Sequence, residues 1–137
     1  MTHRSLIPCL FAGILFLFCQ NPALSDPKDS PSAEPQDVSM VQMIANPEKF
    51  DGHRVRIIGF VKLEFEGNAI YLHQEDFDHG MTRNGLWLNI SEDIRTRSKE
   101  FDGHYCLIEG KFNAGAKGHL GMFSGSIEDI NRFQIWH

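Results

Sequence analysis

The chain reads Phe50-Asp51-Gly52-His53-Arg54-Val55-Arg56-Ile57-Ile58-Gly59-Phe60-Val61 at one place and Phe101-Asp102-Gly103-His104-Tyr105-Cys106-Leu107-Ile108-Glu109-Gly110-Lys111-Phe112 at another. Both segments begin with Phe-Asp-Gly-His, and Asp-Gly is a common turn sequence. After the turn, apolar residues occupy alternate positions, which is the pattern of a strand with one buried face. We therefore predict two strands of the same form, with Ile57 of the first and Ile108 of the second pointing into the interior.

Five strands are expected in all. The alternation places them at about 54–65, 69–73, 85–90, 105–113 and within 122–130. A short helix is predicted at 38–50 and another at 91–101. Gly59 in the long first strand permits a bend between two sides of a barrel. Five strands with a helix between the third and the fourth is the order of the OB-fold. The predicted fold class is mainly β: a small five-stranded Greek-key OB-fold-like barrel with a short N-terminal helix.

The entry into the barrel has a recognisable form. It reads Asn46-Pro47-Glu48-Lys49-Phe50-Asp51-Gly52-His53-Arg54-Val55-Arg56-Ile57-Ile58-Gly59. This opening resembles that of uncharacterised exported bacterial OB-fold proteins, in which N-P-x-x-F/Y-x-G-x-x-V-x-I-x-G leads into the barrel. The resemblance extends over about residues 46–130 at the level of pattern. It implies the fold and carries no activity with it.

The N-terminus has the features of a secretory signal peptide, predicted to span residues 1–25. Its apolar run, residues 6–18, is shorter than the roughly 20 residues of a membrane-spanning helix. Cleavage after Ser25 would give an exported protein, periplasmic or secreted, with no transmembrane span in the mature chain. Cys19 ends the apolar run and leaves a lipid anchor open, but Phe18 precedes it where a lipobox requires a small residue.

Two further regions follow the signal peptide. Residues 26–37 are rich in proline, serine and acidic residues and contain no aromatic residue. This composition cannot bury enough apolar surface to offset the entropy of ordering, so we predict a flexible linker. Residues 38–137 then form the barrel domain, which is long enough for one modest core.

Charge and cysteine content restrict the function. The formal charge is −5, and Arg4 is the one charged residue of 1–25, so removing that segment changes the charge by one, to −6. An acidic exported domain is a poor candidate for phosphate-backbone binding, which disfavours nucleic acid as a partner. Only Cys106 remains after cleavage, which excludes an intramolecular disulfide, and its inward strand position favours a buried small hydrophobe.

Strand phase identifies a candidate binding face. Ile70 and Leu72 are expected to fill the barrel, so their neighbours point outward. The outward residues on strands 1 to 3 are Arg56, Tyr71, His73, Trp87 and Asn89. OB-folds bind ligands on this side with aromatic platforms, and exposed Trp and Tyr are common interface anchors. The alternative is that the N-terminal helix or the polar loop after strand 2 covers this face and buries the rings.

The loop after strand 2 is the richest polar stretch. Its metal-ligand residue types are His73, Glu75, Asp76, Asp78 and His79. The spacing is not that of a zinc finger, an EF-hand or an HExxH helix, and solvated loops have the same composition, so no metal is assigned. No cofactor is predicted, and the sequence contains no G-x-S-x-G and no phosphate-binding loop.

These features favour an exported, non-enzymatic binding module for a protein or glycan partner in the cell envelope, of which an inhibitor or immunity protein is one form. The first alternative is a metal-binding protein or metal-dependent hydrolase that uses the loop from His73 to His79. The second is single-stranded nucleic-acid binding, natural for the fold and disfavoured by the charge.

Overall fold

The computed structural model describes residues 34–137. The predicted signal peptide, Cys19 and most of the predicted linker lie outside these residues. The strands are β1 (Gln36–Asp37), β2 (Arg54–Lys62), β3 (Ala69–Tyr71), β4 (Gly85–Leu88), β5 (Tyr105–Asn113) and β6 (Ser126–Ile135). The α-helices are α1 (Met40–Ala45), α2 (Pro47–Phe50), α3 (Gln74–Asp78), α4 (Glu92–Thr96) and α5 (Ser98–Phe101), and single 3-10 turns span Thr82–Asn84 and His119–Gly121.

Strands β2 to β6 close into a five-stranded barrel. The order around it is β2-β3-β4-β6-β5, and pairing of β2 with β5 completes the circle. All pairings within this circle are antiparallel except that of β4 with β6. The fold is therefore the small OB-fold-like barrel that the sequence predicts.

Strand β2 serves two neighbours. It pairs with β5 from Arg54 to Phe60 and with β3 from Phe60 to Lys62. Gly59 lies where the partners change, and a Cβ there would stand 2.5 Å from the carbonyl oxygen of Tyr71. The glycine predicted to permit a change of direction is thus the residue that lets β3 approach.

The two Phe-Asp-Gly-His segments form reciprocal clamps. In the first clamp, Gly52 N donates to Phe112 O (2.8 Å) and Asp51 Oδ1 accepts from Ala114 N (3.0 Å). Each glycine has a φ of 76°, which suits the third position of a type II turn.

The second clamp repeats this arrangement at the other end of the strand pair. Gly103 N donates to Val61 O (2.9 Å), and Asp102 Oδ1 accepts from Leu63 N (2.9 Å). Each turn therefore fixes the end of the other strand, and the two clamps are related by an approximate local two-fold.

The interior of the barrel is apolar, as the alternation predicts. The fully buried side chains include Val55, Ile57, Val61, Ile70, Leu86, Leu88, Cys106, Ile108, Phe112 and Ile127. Helix α1 contributes Met40 and Met43 to the same core, and α4 and α5 contribute Ile94 and Phe101. Within residues 34–137, no helix has the length and the apolar character needed to cross a bilayer.

Several boundaries differ from those expected. Strands β2, β3 and β4 end two or three residues early, and the helix predicted at 91–101 is divided into α4 and α5. Gln36 and Asp37, the last residues of the predicted linker, form β1 and pair in parallel with Val55 and Arg56. The predicted N-terminal helix is divided into α1 and α2, since Asn46 leaves helical geometry ahead of Pro47. Strand β6, expected within 122–130, runs on to Ile135.

A bulge explains why the extension of β6 was not predicted. The pairing of β5 with β6 shifts register between Glu109 and Lys111, and Asp129 opposite has a φ of 48°. Extra residues on one strand break the alternation of apolar side chains there. The C-terminal end of β6 therefore could not be predicted from the alternation of apolar residues.

Candidate functional site

The predicted aromatic face exists but is covered. Tyr71 points outward from β3, as expected, yet it is only 6% exposed. Phe77 of α3 meets its ring at 5.7 Å between centroids, and Phe123 meets it at 6.1 Å. Burial raises the pKa of the Tyr71 hydroxyl. The expectation that Tyr71 forms an open platform was wrong, because two loops place aromatic rings over it.

The covering rings continue around the outside of the barrel. Their centroids are linked in series at 5.6 to 6.3 Å. We call this series the aromatic belt; in order it comprises Tyr105, Phe60, Phe77, Tyr71, Phe123 and Trp87. Aromatic contacts of this geometry add to the stabilisation from burial alone. The belt is therefore a second apolar layer that fastens two loops to the barrel wall.

Polar contacts join the same two loops. Arg83 Nη1 donates to Phe123 O (3.2 Å), and Ser124 Oγ donates to Arg83 O (2.7 Å). Gly118 lies so close to Trp87 that a Cβ would stand 2.7 Å from its ring. The loop after β3 (residues 72–84) and the glycine-rich loop before β6 (residues 114–125) thus form one cover over the predicted face.

The other predicted binding residues are scattered. His73 and Asn89 are exposed, and Trp87 is half-buried beneath the glycine-rich loop. Arg56 lies on the outside of β2 and forms ion pairs with Glu109 and Asp37. Trp87 and Tyr71 are bridged by Phe123, while Arg56 pairs with β5 at the other end of β2. The five residues do not form one surface.

In the loop that carries the metal-ligand candidates, one of the candidate carboxylates has a structural role. Asp76 is buried, accepts from His73 N at 3.0 Å and from Asn84 Nδ2 at 2.7 Å, and so fixes the start and the end of the loop. Glu75, Asp78 and His79 are exposed. Nowhere in residues 34–137 do three or more His, Cys, Asp or Glu side chains gather as a metal ion would require.

The Tyr105 end of the aromatic belt presents aromatic residues to solvent. Trp136 N donates to Tyr105 O at 2.8 Å, and the register of β5 and β6 places these residues opposite each other. Their side chains are 48% and 39% exposed, and Ile58 on the adjacent β2 is 42% exposed. We call these three residues the β5–β6 face. Alternation along the strands directs all three outward, away from the core.

A network of ion pairs borders this face. Glu109 Oε1 accepts from Arg56 Nε at 2.6 Å and from Arg132 Nη1 at 2.9 Å, so the network spans β2, β5 and β6. Burial alone would raise the pKa of Glu109, but the hydrogen bonds from both arginines outweigh it and hold the pKa below its ordinary value. The carboxylate is therefore charged and fixed, which suits a rigid rim rather than a proton-transfer group.

Cys106 is buried in the barrel interior, where the sequence places it. Burial raises the pKa of its thiol to about 11. The nucleophilic thiolate is thus a negligible species at neutral pH. This environment is that of a core residue.

The β5–β6 face was missed at the sequence level for two reasons. The expected last strand stopped short of Trp136, so its register opposite Tyr105 could not be drawn. The alternation of Cys106 and Ile108 did predict that Tyr105 points outward, and that signal could have identified one of the three residues of the face. No family model and no curated protein sequence matches this chain.

Proposed function

We propose that this chain is a non-enzymatic binding module, exported to the cell envelope, that recognises a protein or glycan partner. The observation that supports this most is the β5–β6 face. It places an indole and a phenol ring side by side in solvent on a rigid sheet. Exposed Trp and Tyr supply large contact areas with little loss of side-chain entropy on binding, and they dominate interface energetics.

The surroundings of the β5–β6 face favour a binding function over a catalytic one. The network of Arg56, Glu109 and Arg132 forms a preorganised polar border, and an apolar centre with a polar rim is the usual anatomy of an interface. Its carboxylate is already neutralised by two guanidinium groups. The thiol of Cys106 is protonated and inaccessible, so neither group is available as a nucleophile or base.

Export is supported by the N-terminal sequence, with its charged start, apolar run and small residues before Asp26. An inhibitor or immunity protein, which neutralises a toxin or hydrolase in the envelope, fits a small rigid module of this kind. His73, Trp87 and Asn89 stay candidates for secondary contacts, since all three retain exposed surface.

The proposal is tested by affinity capture from an envelope extract, followed by mass spectrometry. The baits are the unmodified protein, Trp136→Ala, Tyr105→Ala and, as a matched control, Leu120→Ala. Leu120 is also exposed and apolar but lies in the glycine-rich loop. We expect a partner that is retained by the unmodified bait and the control and lost with both aromatic variants. Equal capture by all four baits would contradict the assignment of this face.

A glycan array run with the same four proteins separates the two partner classes. Binding to defined oligosaccharides that depends on Trp136 and Tyr105 identifies a glycan. Protein capture without oligosaccharide binding identifies a protein.

A further inference from the structure

We propose that the C-terminal half of β6 is a docking edge for an extended segment of a partner protein, which pairs with it as an added strand. Residues Arg132 to Ile135 pair with β5 on one side of the strand. On the other side, β4 pairs with β6 at Ser126 and Ile127 and no further. We call residues 132–135 the open edge. The sheet is thus closed at the start of β6 and open along its end.

The register identifies the backbone groups that the open edge presents. Trp136 N donates to Tyr105 O at 2.8 Å, so Gln134 and the other even-numbered residues of this regular ladder bond to β5. The N–H and C=O groups of Phe133 and Ile135 therefore point away from β5. No backbone group among residues 34–137 bonds to these four groups. Backbone donors and acceptors in such a row are a template for another strand.

A cleft of about 330 Å³ lies against this edge, between β6 and the helices α4 and α5. Its lining includes Ile94 and Phe101 of the helices and Ile130 and Phe133 of β6. The rings of Phe101 and Phe133 meet at 4.6 Å between centroids and join the two walls. A strand added here would thus place alternate side chains against an apolar surface.

Charge contributes little to recognition in this cleft. Arg97 and Arg132 both line it, but Arg97 pairs with Glu100 at 3.0 Å and Arg132 pairs with Glu109 at 2.9 Å. Neither guanidinium group therefore needs an anion from a ligand. Affinity in this mode of binding comes from main-chain hydrogen bonds, and specificity comes from the seats of alternate side chains.

The spacing and the walls of the cleft favour a single extended chain as the occupant. Phe133 and Ile135 present their donors and acceptors at a repeat of about 6.6 Å, which an extended peptide matches and the hydroxyl groups of a glycan do not. A second copy pairing edge to edge would bring α4 of each copy against the sheet of the other. One extended chain needs only the space of the cleft.

The open edge adjoins the β5–β6 face, since Ile135 is followed directly by Trp136. A partner bound on that face is therefore beside the edge and can contribute a strand to it. The inference rests on the proposed function in this respect, and it names the partner as a protein. Its test uses the edge alone, so that the two proposals fail separately.

The test begins with a phage-displayed library of random linear peptides, selected against the unmodified chain. Asp93 lines the cleft with a side chain that is 79% exposed, so Asp93→Trp should fill the cleft without disturbing the core, and Asp93→Ala is the matched control. A selected peptide, made synthetically, should bind Asp93→Trp at least about tenfold more weakly than the unmodified chain. It should bind Asp93→Ala as it binds the unmodified chain, and all three proteins should have the same circular dichroism spectrum.

Amide hydrogen exchange then tests strand addition. With the peptide bound, the amides of Phe133 and Ile135 should exchange more slowly, while those of Arg132 and Gln134, which already bond to β5, should keep their rates. N-methylation of alternate peptide amides should abolish binding for the set that faces β6 and leave it unchanged for the other set.

Three results would overturn the proposal. The first is a selection that enriches no peptide able to distinguish Asp93→Trp from the unmodified chain. The second is an equal effect of the two N-methylation sets. The third is protection of Phe133 that rises with protein concentration in the absence of peptide, since the edge would then bind a second copy. The capture experiment with the Trp136 and Tyr105 variants tests the β5–β6 face independently of all three.

Discussion

The second clamp gives the sharpest test of how the strand ends are fixed. Asp102 Oδ1 accepts from Leu63 N at 2.9 Å, and its Oδ2 lies 3.0 Å from Lys62 Nζ. A hydrogen bond to a charged acceptor contributes about 1.5–3 kcal/mol, and the lower end applies because the Asp102 side chain is 33% exposed. A partly exposed ion pair adds about 0–1 kcal/mol. We therefore expect Asp102→Ala to lower the free energy of unfolding by about 2 kcal/mol.

Urea unfolding followed by tryptophan fluorescence measures this change. In a domain of this size the loss corresponds to a decrease in Tm of about 10 °C. Asp102→Asn keeps an amide oxygen for Leu63 N but loses the charge, so it should cost about half as much. Asp51→Ala removes the corresponding bond to Ala114 N and should cost between about 1 and 2 kcal/mol.

Asp93→Ala is the control, because Asp93 is exposed and its nearest cation, Arg97, is 3.9 Å away. It should change stability by less than about 0.5 kcal/mol. The reasoning fails if Asp102→Asn is as unstable as Asp102→Ala, since the acceptor oxygen would then be irrelevant. It also fails if Asp102→Ala matches the control.

Three further predictions concern the barrel interior. Gly59→Ala should lower the free energy of unfolding by about 2 kcal/mol or more, because its Cβ would lie under 3.0 Å from three atoms, one of them the carbonyl oxygen of Tyr71. Gly67→Ala, which meets no contact under 3.4 Å, is the control in urea unfolding, and equal losses would contradict the steric argument. The thiol of Cys106 should resist iodoacetamide at pH 8.5 in the native protein and react in urea, as mass spectrometry would report; rapid native alkylation would exclude the buried position. The raised pKa of Cys106 also predicts that the free energy of unfolding falls from pH 9 to about 11, because the unfolded chain loses the proton first. This slope should be shallower in Cys106→Ala, where the raised pKa of Tyr71 still contributes.

The barrel was predictable because the sequence pattern that indicates its strands is local. Alternation in the two Phe-Asp-Gly-His segments depends only on neighbouring residues, and the predicted bounds of β5 match those observed. The end of β6 was not predictable in this way. The bulge near Asp129 inserts residues whose conformation follows from pairing with β5, a contact between distant parts of the chain.

The candidate site was harder to predict for a related reason. The outward direction of Tyr71 follows from strand phase, but its exposure depends on what packs over it. Phe77 and Phe123 are single aromatic residues in loops that are otherwise polar or rich in glycine, and their sequence does not indicate that both loops fold back onto β3. Exposure is a tertiary property, so an alternating pattern identifies a face without showing whether that face is open.

The turn before each of β2 and β5 holds the end of the other strand, and this has a consequence for the order of folding. The aspartate bonds that hold the two strand ends join residues 39 and 63 positions apart, so neither end can be held until distant segments have met. Bringing such distant segments together carries a loop-closure cost before any contact compensates for it. Joining of these two strands is therefore expected to limit the folding rate, and variants at either aspartate should slow refolding more than they accelerate unfolding.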